Sequence, residues 1–439
     1  MTRSLVAVEL ARPIMAVAAA LFLLAAAPRT VPIAPASVTQ LSNGARIVTH
    51  AVADTPLISA QLFVPAGIAF QSPDQAGIAA VAADMVLHSP ASNGKDVIDI
   101  ANGLGASATY ELDPGYIRFE ITCRSVDMAP LLAALATALA HPNPSQFVAS
   151  RASVLSVANA SAKNPVAAAL AMVRQVNYDG SGYQSPDAGS PSTIVRLTQS
   201  QVSSFLNGHA RAGGAVLALS GDLNAAVVDG ARAALQSLPS GAAQSAPTGR
   251  AVTRSHQVVA HRSVDQPWVA IGYQAPVQFS NDYPTMLVVE ALLGQGGDSR
   301  ALTLGSDTPL PSDFVGAYYQ YEAQPGAFIV FLNGEGTGGV DASIRELQLA
   351  IARLRAQRLP QSLVERGREI ALGDYYMSVT TLDDDAWLIG TATLSPHGPS
   401  YVNELPRAIA AVTPADVQRV AQRYLARETL GVVLPASSR

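Results

Sequence analysis

The chain has 439 residues, 49% of them hydrophobic and 14% charged, with a formal net charge of −5 at pH 7. That length leaves room for two or more domains with sizeable cores, and the absence of any basic block argues against nucleic acid as a partner. The single cysteine, Cys123, excludes an intrachain disulfide and any multi-cysteine metal site.

In chain order, residues 1–36 read as a secretory signal. Arg3 and Arg12 form a basic start, Ile14 to Ala27 an apolar run, and Ala25-Ala26-Ala27 a small-residue end, with a second cleavage option near Ala34-Pro35-Ala36. The apolar run is shorter than the ~20 residues a membrane span needs. A periplasmic, exported chain is expected, its mature form beginning between Ala26 and Val38.

Residues 37–237 read as a first αβ domain. Ile58 to Pro65 is an apolar strand, and Gly77 to Met85 an apolar helix. Tyr116 to Cys123 alternates as a half-buried strand, Asp127 to Ala140 is helical, and Thr198 caps a helix that leads into the strand Gly214 to Asp222. Residues 238–256, rich in Pro, Gly and Ser, form a linker. Residues 257–439 read as a second αβ domain with the same order. Trp268 to Pro276 matches the early strand, Val340 to Arg358 is helical, and a helix from Val412 to Tyr424 leads into the strand Leu430 to Leu434. Repeats spaced by half the chain indicate duplication. Strands that come in hairpins before blocks of helices indicate an α+β fold, each half an antiparallel sheet with helices on one face.

The segment Gln75-Ala76-Gly77-Ile78-Ala79-Ala80-Val81-Ala82-Ala83-Asp84-Met85, after a strand ending Leu62-Phe63-Val64-Pro65-Ala66-Gly67, resembles the pitrilysin/insulinase family of zinc metallopeptidases, which includes the mitochondrial processing peptidases. There the helix carries Gly-Leu-Ala-His-x-x-Glu-His-Met, an inverted H-x-x-E-H motif. Two histidines four apart share a Zn²⁺, and the glutamate takes a proton from the zinc-bound water. Carried over by position, the first histidine is Ala80, the glutamate Ala83 and the second histidine Asp84. The family's third ligand lies on a later helix that resembles Phe147 to Asn159, followed by Lys163-Asn164-Pro165. Its two acidic positions fall at Ser150 and Val157, and no Asp or Glu occurs between Asp127 and Asp179. Alanine and valine offer no lone pair, so the resemblance implies a chain with no catalytic residue and no metal site. Asp84 and His88, four apart, leave a displaced two-ligand pair conceivable.

The resemblance covers the chain after about residue 38. It implies two αβ halves joined by a linker and facing each other, half of a clam shell. The family also holds substrate backbone with an Arg and a Tyr that follow a glycine-rich turn. The turn here is Leu292 to Leu302, but the pair's positions fall near Ser306 and Asp313. Arg300 and Tyr318 are the candidate substitutes, with Tyr319 nearby; the alternative has Arg300 at a helix start and the tyrosines in an edge strand.

Other arrangements carry less. Asp383-Asp384-Asp385 reads as a helix N-terminus favoured by the dipole. The histidines never pair at ligand spacing, and Gly334 to Gly339 lacks a P-loop lysine. The expected function is that of a non-catalytic subunit of a heteromeric periplasmic zinc metalloendopeptidase. Such a subunit completes the chamber and binds peptide for a zinc-bearing homologous partner, with no cofactor of its own. The alternatives are a peptide-binding or structural protein of the same fold without a peptidase partner, and an enzyme with a relocated site.

Overall fold

Eleven strands and fourteen α-helices are built by the described residues of the computed structural model, which are 36–242, 244–293, 315–322, 324–333 and 339–436. The first sheet has six strands: β1 (Ser37–Gln40), β2 (Arg46–Ala51), β3 (Leu57–Val64), β4 (Ser107–Leu112), β5 (Ile117–Arg124) and β6 (Val216–Gly221). They lie in the order β1-β2-β6-β3-β5-β4. The second has β7 (His256–Arg262), β8 (Trp268–Ala275), β9 (Val315–Gln320), β10 (Gly326–Asn333) and β11 (Thr429–Pro435), in the order β7-β11-β8-β10-β9. Apart from β1, the two orders are the same order twice. Each sheet is antiparallel except for one parallel pair at the matching place, β2 with β6 and β7 with β11.

Local sequence explains the shared pattern. The helix before β6, α7 (Gln199–His209), starts with a capping box between Thr198 and Gln201; its counterpart before β11, α14 (Pro414–Tyr424), starts with one between Thr413 and Asp416. Each box satisfies two amide groups that a helix start leaves open. Strand β5 alternates, with Ile117, Phe119, Ile121 and Cys123 buried and Arg118, Glu120 and Thr122 half-buried on the opposite face. Burial pushes the Cys123 thiol up to about 11.

The remaining helices are α1 (Ile78–Leu87), α2 (Val97–Leu104), α3 (Ser125–Ala140), α4 (Phe147–Lys163), α5 (Pro165–Asn177), α6 (Pro191–Ile194) and α8 (Ala225–Gln236) in the first half. In the second they are α9 (Tyr283–Leu293), α10 (Gly339–Ala356), α11 (Gln361–Met377), α12 (Leu382–Leu394) and α13 (Tyr401–Ala410). Each half's own helices cover one face of its sheet, as expected. The other face is covered too, by a helix from the opposite half: α5 packs on β8, β10 and β11, and α12 packs on β2, β3 and β6. The central strands under these helices are buried on both faces, β6 throughout and β3 along all but its first residue. The apolar core of the first half therefore continues through α5 to Ala270, Ala327, Ile329 and Val433 of the second sheet.

Glycine makes both crossings close. A Cβ on Gly272 of β8 would sit 2.1 Å from Val173 Cγ1 of α5, and one on Gly390 of α12 would sit 2.3 Å from the Phe63 ring of β3. No helix among the described residues is long and apolar enough to cross a membrane.

Candidate functional site

The helix onto which the sequence resemblance carries the family's zinc motif is α1. Its ten residues are all buried, and Gly77 caps it at φ +97°, a left-handed conformation natural to glycine. A Cβ there would also approach the Ala188 carbonyl to 2.8 Å. Ala80 and Ala83 are packed in the core at 1% and 0% exposure, so the places of the first histidine and the glutamate are filled by apolar neighbours. Asp84 sits at the edge of that core. One carboxylate oxygen accepts from Ser153 Oγ of α4 (3.2 Å), the other lies 3.6 Å from His88 Nδ1, and His88 Nδ1 donates to the Asp84 carbonyl (3.0 Å). Burial first, and then the charge of Asp84, raises the Tyr110 phenol on the neighbouring strand β4.

Val157, the position carried over for the third ligand, is 57% exposed on α4; the α4 residue that meets Asp84 is Ser153, one helical turn earlier. The hydroxyl of Ser150 is buried without a hydrogen-bond partner. These side chains do not fit a zinc ion, because Asp84 supplies the one charged oxygen donor where a structural or catalytic site needs three or four ligands. No group of three His, Cys, Asp or Glu is placed to hold a metal among the described residues.

Tyr318 lies in the edge strand β9 and is 47% exposed, while its neighbour Tyr319 points inward, its hydroxyl donating to the Pro276 carbonyl (2.5 Å) and its amide to Glu290 Oε1 (2.9 Å). Burial raises Glu290 to about 8. Arg300, Ser306, Asp313 and most of the glycine-rich turn fall outside the described residues.

Tyr318 opens on a cavity of about 380 Å³ that also takes in Glu111 and Leu112 of β4 and Trp387 of α12. The edge strands of the two sheets thus face one crevice. A larger cavity of about 580 Å³ adjoins it, sharing Asp113, Pro114, Tyr321 and Glu322. Arg118 on β5 holds the floor. Its guanidinium donates to Asp113 (2.9 Å), to Gln61 (3.3 Å) and to Glu120. Desolvation in the crevice, then the charge of Asp187, pushes the Tyr318 phenol up to about 12 against the pull of Arg174. Sequence reasoning missed Glu322, Asp113 and Trp387, because they come from three separate loops and helices with no spacing motif to connect them.

The acidic triplet also has more work than a helix dipole. Thr381 caps α12, accepting from the Asp384 amide. Asp383 and Asp385 reach across to the first sheet. Asp383 accepts from Ser59 (2.6 Å) and Thr122, while Asp385 accepts from Ser220 and pairs with His50 Nδ1 (2.6 Å). The hydrogen bond to Asp385 raises His50 above its ordinary value, against desolvation and with the help of the carboxylate's charge.

No curated protein matches the sequence. A family model described as "Peptidase M16 inactive domain" matches residues 196–371. Among solved structures the fold is similar to a peptidase M16 inactive domain from Pseudomonas fluorescens (17% identity, 92% of this chain and 99% of that one, TM-score 0.81). It is similar to a protease from Helicobacter pylori (17%, 92% and 100%, TM-score 0.83). It is similar as well to a chain of complex III2 from Candida albicans (14%, 90% and 95%, TM-score 0.75). The likeness thus extends to the M16 inactive domain over residues 196–371 and to the fold of these solved structures over most of the chain, while the positions that the sequence resemblance assigns to the zinc helix hold Ala80, Ala83 and Asp84.

Proposed function

We propose that this chain is the non-catalytic subunit of a periplasmic heteromeric zinc endopeptidase. It encloses an extended peptide and presents it to a zinc-bearing homologue. The observation that carries the reading is the crevice between the two sheet edges. Among the described residues, strands β4 and β9 each have one unpaired side, and both line the same cavity beside Tyr318. A free strand edge binds extended peptide through backbone hydrogen bonds without any catalytic group. The loss of the zinc residues alongside retention of the whole fold supports a role in enclosure rather than turnover, and one similar chain comes from complex III2.

In this reading the partner contributes zinc and the general base, and this chain contributes hydrogen-bond donors such as Tyr318 and Arg300 to substrate carbonyls. Co-expression with an H-x-x-E-H homologue, size-exclusion chromatography and a fluorogenic peptide assay test it. The expected result is a stable heterodimer more active than the homologue alone, with Tyr318→Ala lowering turnover about tenfold, ~1.4 kcal/mol of transition-state stabilisation. A homologue equally active alone overturns the subunit role. N-terminal sequencing of the periplasmic fraction tests export; an intact Met1 on a membrane-bound form overturns that part.

A further inference from the structure

The two cavities share four wall residues and so form one crevice, and its chemistry is lopsided. Four carboxylates line it, Glu111, Asp113, Asp187 and Glu322, against one cation among the described residues, Arg118. That guanidinium is spent on Asp113, Glu120 and Gln61, and Asp187 is held by Arg174 (2.7 Å). Among the described residues, Glu322 has neither a hydrogen bond nor an ion pair.

The walls around these acids are aromatic and rigid. The Tyr321 ring packs 5.6 Å from Tyr319 and 5.3 Å from Tyr283. Phe279, at the rim, is held at φ +64°, a costly conformation for a bulky residue. Its ring stacks edge-on against Tyr401 at 4.9 Å, and its carbonyl accepts from His397 Nε2 (3.1 Å). Aromatic faces beside an unpaired carboxylate attract organic cations, since ring quadrupole and charge both favour them.

We propose that this crevice is a binding site for a cationic alkyl group, an alkylammonium or alkylguanidinium, with Glu322 as its counter-ion and Tyr318, Tyr321 and Trp387 as its walls. The peptide-binding reading above enters only as the source of that group, a lysine or arginine side chain; a free amine has the same chemistry. A neutral alkyl chain forgoes the carboxylate, and an anion meets three more acids. Burial pushes Glu322 up to about 8, helped by Asp113 and opposed by Arg118. An unpaired carboxylate is costly to bury, and an arriving cation removes that cost. Binding therefore strengthens as pH rises through about 8 and Glu322 ionises.

Trp387 is one of two tryptophans and reports from inside the crevice. The test is a fluorescence titration of the full chain with two acetylated, amidated pentapeptides, identical except for a central lysine or norleucine, and with butylammonium chloride alone. The lysine peptide is expected to bind at least tenfold more tightly, with a ratio that grows between pH 6.5 and pH 9. Glu322→Gln should abolish the ratio and leave norleucine-peptide binding unchanged. Tyr318→Ala, at a half-exposed position, should weaken lysine-peptide binding about fivefold. Butylammonium binding without peptide binding assigns the site to free amines and counts against the peptide reading. Equal binding of the two peptides, a ratio that survives Glu322→Gln, or no response to any probe overturns the cation site.

Discussion

The two halves repeat one topology but close their second faces with different chemistry. On the second sheet, α5 comes down onto glycines. Gly272 and Gly431 give it room, apolar Val173 and Met172 fill the gap, and two hydrogen bonds at Asn177 join it to the sheet, from Thr429 Oγ1 to Asn177 Oδ1 (2.8 Å) and from Gln274 Nε2 to the Asn177 carbonyl (2.9 Å). On the first sheet, α12 combines one glycine contact at Gly390 with a polar clasp. Asp383 and Asp385 take hydrogen bonds from four side chains on strands β2, β3, β5 and β6. One crossing depends on shape and the other on charge as well. The same swap of helices can thus be held by packing with little regard to pH, or by a clasp that responds to it.

The largest expected effect breaks the shape-held crossing. Gly272→Val places atoms where α5 already sits and should destabilise the chain by about 3 kcal/mol, since overpacking costs ~1–3 kcal/mol or more where neighbours cannot yield. Urea unfolding of the purified protein measures it. A loss below half that value would show that α5 can move outward.

The clasp comes next. Asp385→Ala leaves Ser220 and His50 facing an absent partner in a largely buried place, and should cost about 2 kcal/mol. The pH dependence of this loss distinguishes the crossings. His50 is raised in the folded chain, so its share of the stabilisation is complete below its unfolded value of 6.5 and is lost as pH rises through the folded value. The difference between the parent chain and Asp385→Asn should therefore be greater at pH 6 than at pH 9, whereas the cost of Gly272→Val should be the same at both. Equal differences at both pH values for Asp385→Asn would remove His50 from the clasp.

A smaller effect belongs to Thr429→Val, which keeps the side-chain shape and loses the buried bond to Asn177 under α5; about 1 kcal/mol is expected from thermal or urea unfolding. The smallest belongs to metal. Dialysis against a chelator should leave both the melting temperature and a zinc content near zero unchanged, because Asp84 and His88 have no third ligand beside them among the described residues. About one zinc per chain, lost on Asp84→Ala, would reverse that reading.

Several features of this outcome were legible along the chain. Thr198 and Thr413 announce helices by local capping, Tyr116 to Cys123 alternates with the period of a strand, and the early strands Ile58 to Pro65 and Trp268 to Pro276 fall at the same place in each repeat. The positions of Ala80, Ala83 and Asp84 on one helix follow from spacing alone. Capping, periodicity and spacing act over a few residues, so a linear reading suffices for them.

What spacing could not give is which residues meet across the fold. The α4 residue that reaches Asp84 is Ser153, which no motif singles out, because helix rotation is set by packing. The acidic triplet reads as a helix start, and it is one, but only the swapped packing of α12 brings Asp383 and Asp385 to Ser59, Thr122, His50 and Ser220, more than 160 residues away. The crevice follows the same rule. Sequence by itself determined the repeated α+β halves, since those depend on residue identity and local period. Tertiary structure alone decided that each half lends a helix to the other, and that Glu322, Tyr318 and Trp387 share one cavity, since buried contacts between distant segments are fixed by how the two sheets close on one another.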